Sequence, residues 1–378
     1  MRGVAADVED VLYEVFWPVE TSLTPDAVYY GTLLGAAEAL LSGVTLVLDH
    51  YFFARRIAEA LEKVGLRGLV GHTVMSWKGP WTGEEELKEA YRFVREWRGR
   101  LVRPLLAPHA PDTVDPEWLR EMGEYARENN LLIHMHVAQT EREYEDVRAR
   151  GFRSPVQLLE EVGVLGENLV AAHCLYVDDE DLALLARRGV RVVHCPSAYG
   201  LSGSRFRGLE MIERGVRVLL GTDSPCYNDN IDMFEEMRLY VMLQRLQYGR
   251  VALSARELLE MATRRAAEAL GLNDLGSLEP GKRADLVVLD TKRPFMQPMT
   301  NATSYVVYTA TRGDVYAVMV DGEFVVWEGR LTRVREEEIL KKALSATEDL
   351  FERALLKNPF LKVLPRALKV LKAARELD

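Results

Sequence analysis

The chain has 378 residues, 48% of them hydrophobic and 28% charged, which is enough apolar surface for a sizeable core. Its formal net charge of −10 argues against nucleic acid or an anionic membrane as partner. Three cysteines, Cys174, Cys195 and Cys226, are too few and too scattered for a disulfide framework, and no signal peptide or run of about 20 apolar residues appears, so a cytoplasmic protein is expected.

In chain order, residues 1–43 read as helix and loop. Seven short apolar runs follow: "VTLVLDHYF" (44–52), "RGLVGHTV" (67–74), "VRPLLAPHA" (102–110), "LLIHMHVA" (131–138), "LVAAHCLY" (169–176), "VRVVHCPS" (190–197) and "VRVLLGTD" (216–223). Amphipathic helical stretches separate them. One is "DPEWLREMGEYARENN" (115–130), with Asp115 at the N-cap and Pro116 at the first helical position. This alternation, with strands apolar on both faces, predicts a parallel sheet. All seven histidines fall at or near the C-terminal end of a run, and Asp223 ends the last. A (β/α)₈ barrel builds its site from those ends, whereas an open sheet gathers ligands at one switch point. The predicted fold is therefore α/β, a TIM-type (β/α)₈ barrel, with seven strands counted and the first lacking. After residue 275 the pattern changes to turns and antiparallel strands, with "DG" (321–322) as a hairpin signal. Helical sequence then runs over 335–378, with Pro359 and Pro365 as breaks.

Within "IHMHVAQT" (133–140), His134 and His136 share one face of a strand and read as a two-nitrogen metal site. Chain order changes that reading. "APHAP" with His109, "HMHVAQTERE" with His136, "AAHCLY" with His173, "VVHCPSA" with His194, "LGTDSPCYND" with Asp223 and the tail "PGKRADLVVLD" together resemble the amidohydrolase superfamily. The closer resemblance is to the branch of S-adenosylhomocysteine/5′-methylthioadenosine deaminases and triazine hydrolases.

The resemblance implies a barrel (1–275), the remnant of a small β-domain (276–334) and C-terminal helices (335–378). It implies a metal-dependent hydrolase of C–N bonds on a heteroaromatic or nucleoside-like small molecule, deaminase-like, with a metal-bound hydroxide as nucleophile. The cofactor is one divalent metal, zinc by family habit. Carried over residue by residue, His136 and Asp223 are metal ligands, and Asp223 and His173 are catalytic. Glu20 in "FWPVE" grips sugar hydroxyls, and His109 and His173 contact substrate. Each residue also has a plainer reading: a turn or N-cap aspartate for Asp223, a backbone-bonded buried histidine for His136. His134 falls to a core role, His50 and His194 read equally well as loop caps, and the cysteines read as buried packing residues. A homo-oligomer is left open.

Three departures stand against the family pattern. The strand-1 His-x-His is absent, which leaves the metal two ligands. The expectation is that the natural start lies about 60 residues upstream, a figure that follows from ordinary barrel size. Gln139 stands where the family commonly has a proton-carrying Glu. An amide does not take up and release a proton near neutral pH, but it can hydrogen-bond substrate, and Glu141 is the nearest replacement carboxylate. A substrate-contacting Arg of the deaminases falls near His72. The alternative reading is thus a catalytically impaired relative that binds a metabolite or a sister subunit.

Overall fold

The computed structural model of the protein describes residues 2–3 and 10–375. A π-helical turn, Leu12–Phe16, runs into α1 (Trp17–Glu20), and α2 follows (Pro25–Leu41). The Thr24 hydroxyl accepts the Ala27 N–H at the head of α2, and Pro25 sits where no N–H is needed.

Seven βα units come next. They are β1 (Leu46–Tyr51), α3 (Ala54–Val64), β2 (Arg67–Val74), α4 (Glu84–Glu96), β3 (Val102–Pro108), α5 (Pro116–Glu128) and β4 (Ile133–Val137). The chain continues through α6 (Glu141–Ala149), α7 (Pro155–Glu161), β5 (Leu169–His173), α8 (Asp179–Arg187), β6 (Arg191–His194), α9 (Pro196–Ser202), α10 (Gly208–Glu213) and β7 (Arg217–Leu220). Helices α11 (Met233–Tyr248), α12 (Ala255–Ala262) and α13 (Arg264–Ala269) close this part. Each predicted run contains one strand. Asp115 takes the N-cap of α5 without a side-chain bond, whereas Asp178 and Asp181 form a full capping box on α8.

The seven strands are parallel and lie in sequence order, β1 and β7 being the edges among the described residues. The sheet is curled. In a flat sheet β1 and β4 would stand about 14 Å apart, three spacings of roughly 4.8 Å. Instead the His50 ring on β1 lies 4.8 Å from His136 and 5.3 Å from His134 on β4. This is the curvature of a TIM-type (β/α)₈ fold. Its floor is Leu46, Leu48, Leu69, Leu105, Ala107 and Leu132, packed on Leu272 and Leu275. Gly71 is needed there, because a Cβ would stand 2.4 Å from Leu105 Cδ1 and 2.5 Å from the Ala107 Cβ. The opposite strand faces, such as Val70, Leu106, Met135 and Val192, bury against the helices. Apolar demand on both faces is why the strands read as continuous hydrophobic runs.

A second, antiparallel sheet follows: β8 (Leu286–Leu289), β9 (Val315–Val320), β10 (Glu323–Trp327) and β11 (Arg330–Leu331), in the order β11-β10-β9-β8, with α14 (Ala302–Tyr308) between β8 and β9. The predicted Asp321–Gly322 turn has φ of 53° and 83°, as a type I′ hairpin requires. Arg67 at the start of β2 ties this sheet to the barrel. It donates to both oxygens of Asp285 at 2.8 Å, with both side chains buried.

Two last helices are α15 (Glu336–Lys357) and α16 (Leu364–Arg375). Pro359 lies in the break between them. Pro365 breaks nothing: it sits in the first turn of α16, where a missing N–H is harmless. Phe351, Ala354, Leu361, Leu364 and Leu368 pack on Val15, Phe16 and Val19, so these helices cover the N-terminal segment of their own chain. Among the described residues no helix is long and apolar enough to cross a membrane.

Candidate active site

Five of the seven histidines meet at the C-terminal mouth of the barrel. The His109 and His136 rings are 4.9 Å apart, and His136 stacks on His173 at 5.5 Å with planes 16° apart. His50 and His134 lie one layer below, and the Trp17 ring from α1 meets His109 edge-on at 6.1 Å. Burial, aided by the His173 charge, pushes His136 down to about 4, and burial alone does the same to His173. Burial also carries His50, His109 and His134 well below their ordinary range. At neutral pH these are uncharged imidazoles, the form that binds metal.

Hydrogen bonds fix two of the tautomers. His136 Nδ1 lies 3.0 Å from the His109 carbonyl oxygen. A carbonyl only accepts, so Nδ1 carries the proton and the Nε2 lone pair is left free. His109 Nδ1 lies 2.9 Å from Thr113 Oγ1, whose own proton goes to the Ala110 carbonyl. That hydroxyl can then only accept from His109, which again leaves Nε2 as the free lone pair.

Beyond His136 a tighter group forms. His173 from β5, Cys195 just after β6 and Asp223 after β7 each present a donor atom, all within 4.8 Å of one another. Backbone strain accompanies them: His173 and Asp223 have φ of 77° and 59°, and Ala138 after β4 has 50°. Each such non-glycine residue costs about 1–2 kcal/mol, and such residues cluster at functional sites. Burial raises the Asp223 carboxyl, while the Ser224 N–H, donated to Oδ1 at 2.5 Å, and the nearby His136 pull it back. Burial, with the Asp223 and Glu236 charges, keeps the Cys195 thiol well above its usual range.

These residues fit a divalent metal. Neutral imidazole, carboxylate and thiol donors converge at one place, and three protein donors with an open position is the pattern of a catalytic site. Cys195, which the sequence reads as packing, is the third member of this group.

A buried layer holds the donors in place. Glu236 on α11 accepts the Ser197 N–H at 3.0 Å and the Asn228 amide at 2.7 Å, and Asn228 also donates to the Thr222 carbonyl at 2.8 Å. One carboxylate thus ties the loop of Cys195 to the loop of Asp223. Glu143 plays the same part under β4, taking the Ala138 and Gln139 N–H groups, both at 2.7 Å. Burial and the Asp112 charge raise its carboxyl. Gln139 is therefore held in place through its backbone, half-buried at the mouth. The replacement envisaged for a proton-carrying Glu at this position does not form. The strand stops at Val137, and Glu141 points to solvent in the first turn of α6.

Glu20, from the end of α1, is buried. It accepts the Tyr51 hydroxyl at 2.6 Å, and its carbonyl takes the Trp81 Nε1–H at 2.8 Å. Burial pushes its carboxyl up to about 7 against the pull of Tyr51.

Two histidines stand outside the group. His72 binds Glu86 at 2.8 Å, and His194 stacks on Phe206 at 3.6 Å with both ring nitrogens unpartnered. His194 and Cys195 are neighbours on opposite faces, so the histidine enters the helical layer and the cysteine the mouth. The sequence weighed His50 evenly and read Cys195 as packing; alternation along each strand was the signal that could have placed both. Glu236 and Glu143 have no such signal, being set by helix packing.

The sequence profile of the amidohydrolase family matches residues 1–325. The chain belongs to the amidohydrolase family. It is an enzyme acting on C–N bonds other than peptide bonds, in a family that is typically metal-dependent, and the resemblance read from its short motifs is borne out. This amidohydrolase is 40% identical over 357 residues to a 5′-deoxyadenosine deaminase of Methanopyrus kandleri, covering 92% of this chain and 82% of that protein. It is 38% identical over 355 residues to a 5-methylthioadenosine/S-adenosylhomocysteine deaminase of Pyrococcus furiosus, at 92% and 84% coverage. A zinc-bound adenosine deaminase from Xanthomonas campestris superposes with a TM-score of 0.88 at 31% identity, over 92% of this chain and 82% of that one.

Proposed function

We propose that this amidohydrolase removes the 6-amino group of an adenine nucleoside, with water as co-substrate and ammonia and the 6-oxo nucleoside as products. The observation that carries the reading is the convergence of neutral His136, His173 and the Asp223 carboxylate at the barrel mouth, within one chamber with His109. Its similarity to nucleoside deaminases supports the substrate class.

His136 and Asp223, with His173 beside them, would hold a divalent metal, zinc by analogy with the Xanthomonas enzyme. Such an ion supplies a water acidic enough to lose a proton near neutral pH. Asp223 takes that proton and returns it to the departing amine. His173 and the free Nε2 of His109 orient the ring position under attack. Gln139 donates its amide N–H to a ring nitrogen or accepts from its N–H; it moves no proton. Glu20, oriented by Tyr51, accepts the sugar hydroxyls. The zinc-supplemented protein should release ammonia from adenosine, 5′-deoxyadenosine, 5′-methylthioadenosine or S-adenosylhomocysteine, and chelation should abolish it. No ammonia from any of the four would overturn the reading. Gln139 favours a second reading, a nucleoside-binding protein without turnover, which binding of these compounds without ammonia would support.

A further inference from the structure

The geometry points to a second subsite beside the chamber: a groove along α1 that takes the 5′-substituent of the nucleoside, with Lys357 favouring substituents that end in a carboxylate. This rests on the nucleoside reading above and goes beyond it, since that reading leaves the substituent open. The groove encloses about 430 Å³, within the ordinary size of a small-molecule site. Tyr13, Trp17 and Pro18 line it from the N-terminal segment, Pro80 from the loop after β2, and Lys357 and Asn358 from the end of α15. Two of these residues tie the groove to the chamber. Trp17 also meets His109 edge-on at 6.1 Å. Pro80 precedes Trp81, whose Nε1–H is donated to the Glu20 carbonyl at 2.8 Å. With the base over the histidines and the sugar hydroxyls on Glu20, the 5′-carbon is the one place from which the substrate can extend.

The groove is aromatic along its side and cationic at its end. Tyr13 stands edge-on to Trp17 at 4.7 Å, and the Arg142 guanidinium covers the Tyr13 ring at 3.9 Å, which holds that side in place. Aromatic edges suit a thioether sulfur. The cations nearby are already paired, Arg142 with Asp10 at 3.3 Å and Lys78 with Asp112 at 3.0 Å and Asp146 at 2.6 Å. Lys357 is different. Among the described residues it is the one charged side chain lining the groove, and no carboxylate pairs with it. Its Nζ donates one N–H to the Thr21 carbonyl at 2.6 Å, which fixes the ammonium at the rim and leaves two donors for a ligand. An amino-acid tail also brings an ammonium of its own, for which the Thr21 hydroxyl and the Asn358 side-chain oxygen offer acceptors. The favoured substrate class is therefore a 5′-thioether nucleoside with a carboxylate tail, the chemistry of S-adenosylhomocysteine, over 5′-deoxyadenosine, which leaves the groove empty.

The probe is a matched pair, 5′-S-(3-carboxypropyl)-5′-thioadenosine and its primary amide, alike in shape and different by one negative charge. Calorimetric titration of the full zinc-supplemented chain reads both dissociation constants. The acid should bind about three- to tenfold tighter than the amide, the range for a charge pair at a partly solvated site. Because Lys357 is exposed, that margin should shrink at high salt, and it should vanish in Lys357→Gln. A wild type that does not prefer the acid, or a preference that survives Lys357→Gln, overturns the subsite. A variant that merely loosens the Thr21 tie weakens both compounds alike, keeps the margin and so counts against the subsite too. Ammonia release from 5′-methylthioadenosine tests the deaminase chemistry separately. Release without the margin removes the subsite and leaves the deaminase reading, whereas a Lys357-dependent margin without release does the reverse. Failure of both compounds to bind overturns the two together.

Discussion

The Glu236 brace offers a sharp perturbation, Glu236→Gln. The side chain is fully buried and accepts from Ser197 and Asn228, and burial, the largest influence, pushes its carboxyl from 4.5 up to about 7. Because the folded state holds this proton more tightly than the unfolded chain, folding takes up protons between those two values. The resulting stability is present in full below about pH 4.5, falls as pH rises, and is gone above about pH 7. Between pH 5 and pH 8.5 the loss amounts to about 2.5 kcal/mol. Glutamine has the same shape and no titration, and it keeps one of the two acceptor contacts. At pH 8.5 the cost of burying the charge offsets much of what the wild-type bonds contribute, so the two proteins should be close in stability. At pH 5 the gap should open by about 2.5 kcal/mol in favour of the wild type. Every other titrating group is common to both proteins and cancels. Urea denaturation of both at the two pH values reads the difference directly. A gap that stays constant to within about 0.5 kcal/mol would falsify the placement of a buried, proton-holding carboxyl between the loops of Cys195 and Asp223.

Tyr51→Phe removes the hydroxyl that holds Glu20 down, so the Glu20 carboxyl should rise above about 7; if ionised Glu20 grips the sugar, KM for a nucleoside falls as pH rises through that value, and in the variant this limb should move to higher pH while kcat is spared. A KM profile unmoved by the substitution would remove Glu20 from the substrate. Asp285→Ala leaves the buried Arg67 guanidinium with Asp321 at 3.5 Å as its remaining carboxylate and should cost up to about 3–5 kcal/mol in chemical denaturation, with a loss under about 1 kcal/mol refuting the pair as a tie between barrel and small sheet.

The barrel was legible because its strands are buried on both faces and its helices on one, which writes two different periods into the chain. The hairpin at Asp321–Gly322 was equally plain, since few residue pairs tolerate two positive φ angles. Pro365 misled because a proline that ends one helix and a proline that opens the next look alike in sequence. At the mouth, His136, His173, His109 and Asp223 were found by strand position, and the structure brings them together. Cys195 was passed over because a buried cysteine is usually only packing, and nothing local says what faces it across two strand ends. Glu20, Glu143 and Glu236 show the same limit. A buried carboxylate is defined by its partners, and Glu236 meets Ser197 39 positions away.

The pairing of the two terminal segments bears on how the site comes into being. Glu20 reaches the chamber on a short helix whose apolar neighbours, Val15, Phe16 and Val19, find their cover on α15 and α16, and Lys357 reaches back to the Thr21 carbonyl, 336 positions away. Contacts of such separation repay their loop-closure entropy only once the intervening chain is ordered. The histidines and Asp223 can therefore assemble with the barrel, while the wall that carries Glu20 is completed late in folding, when the C-terminal helices dock. On the proposed function, chemistry and sugar recognition would thus be delivered by parts of the molecule that mature at different times.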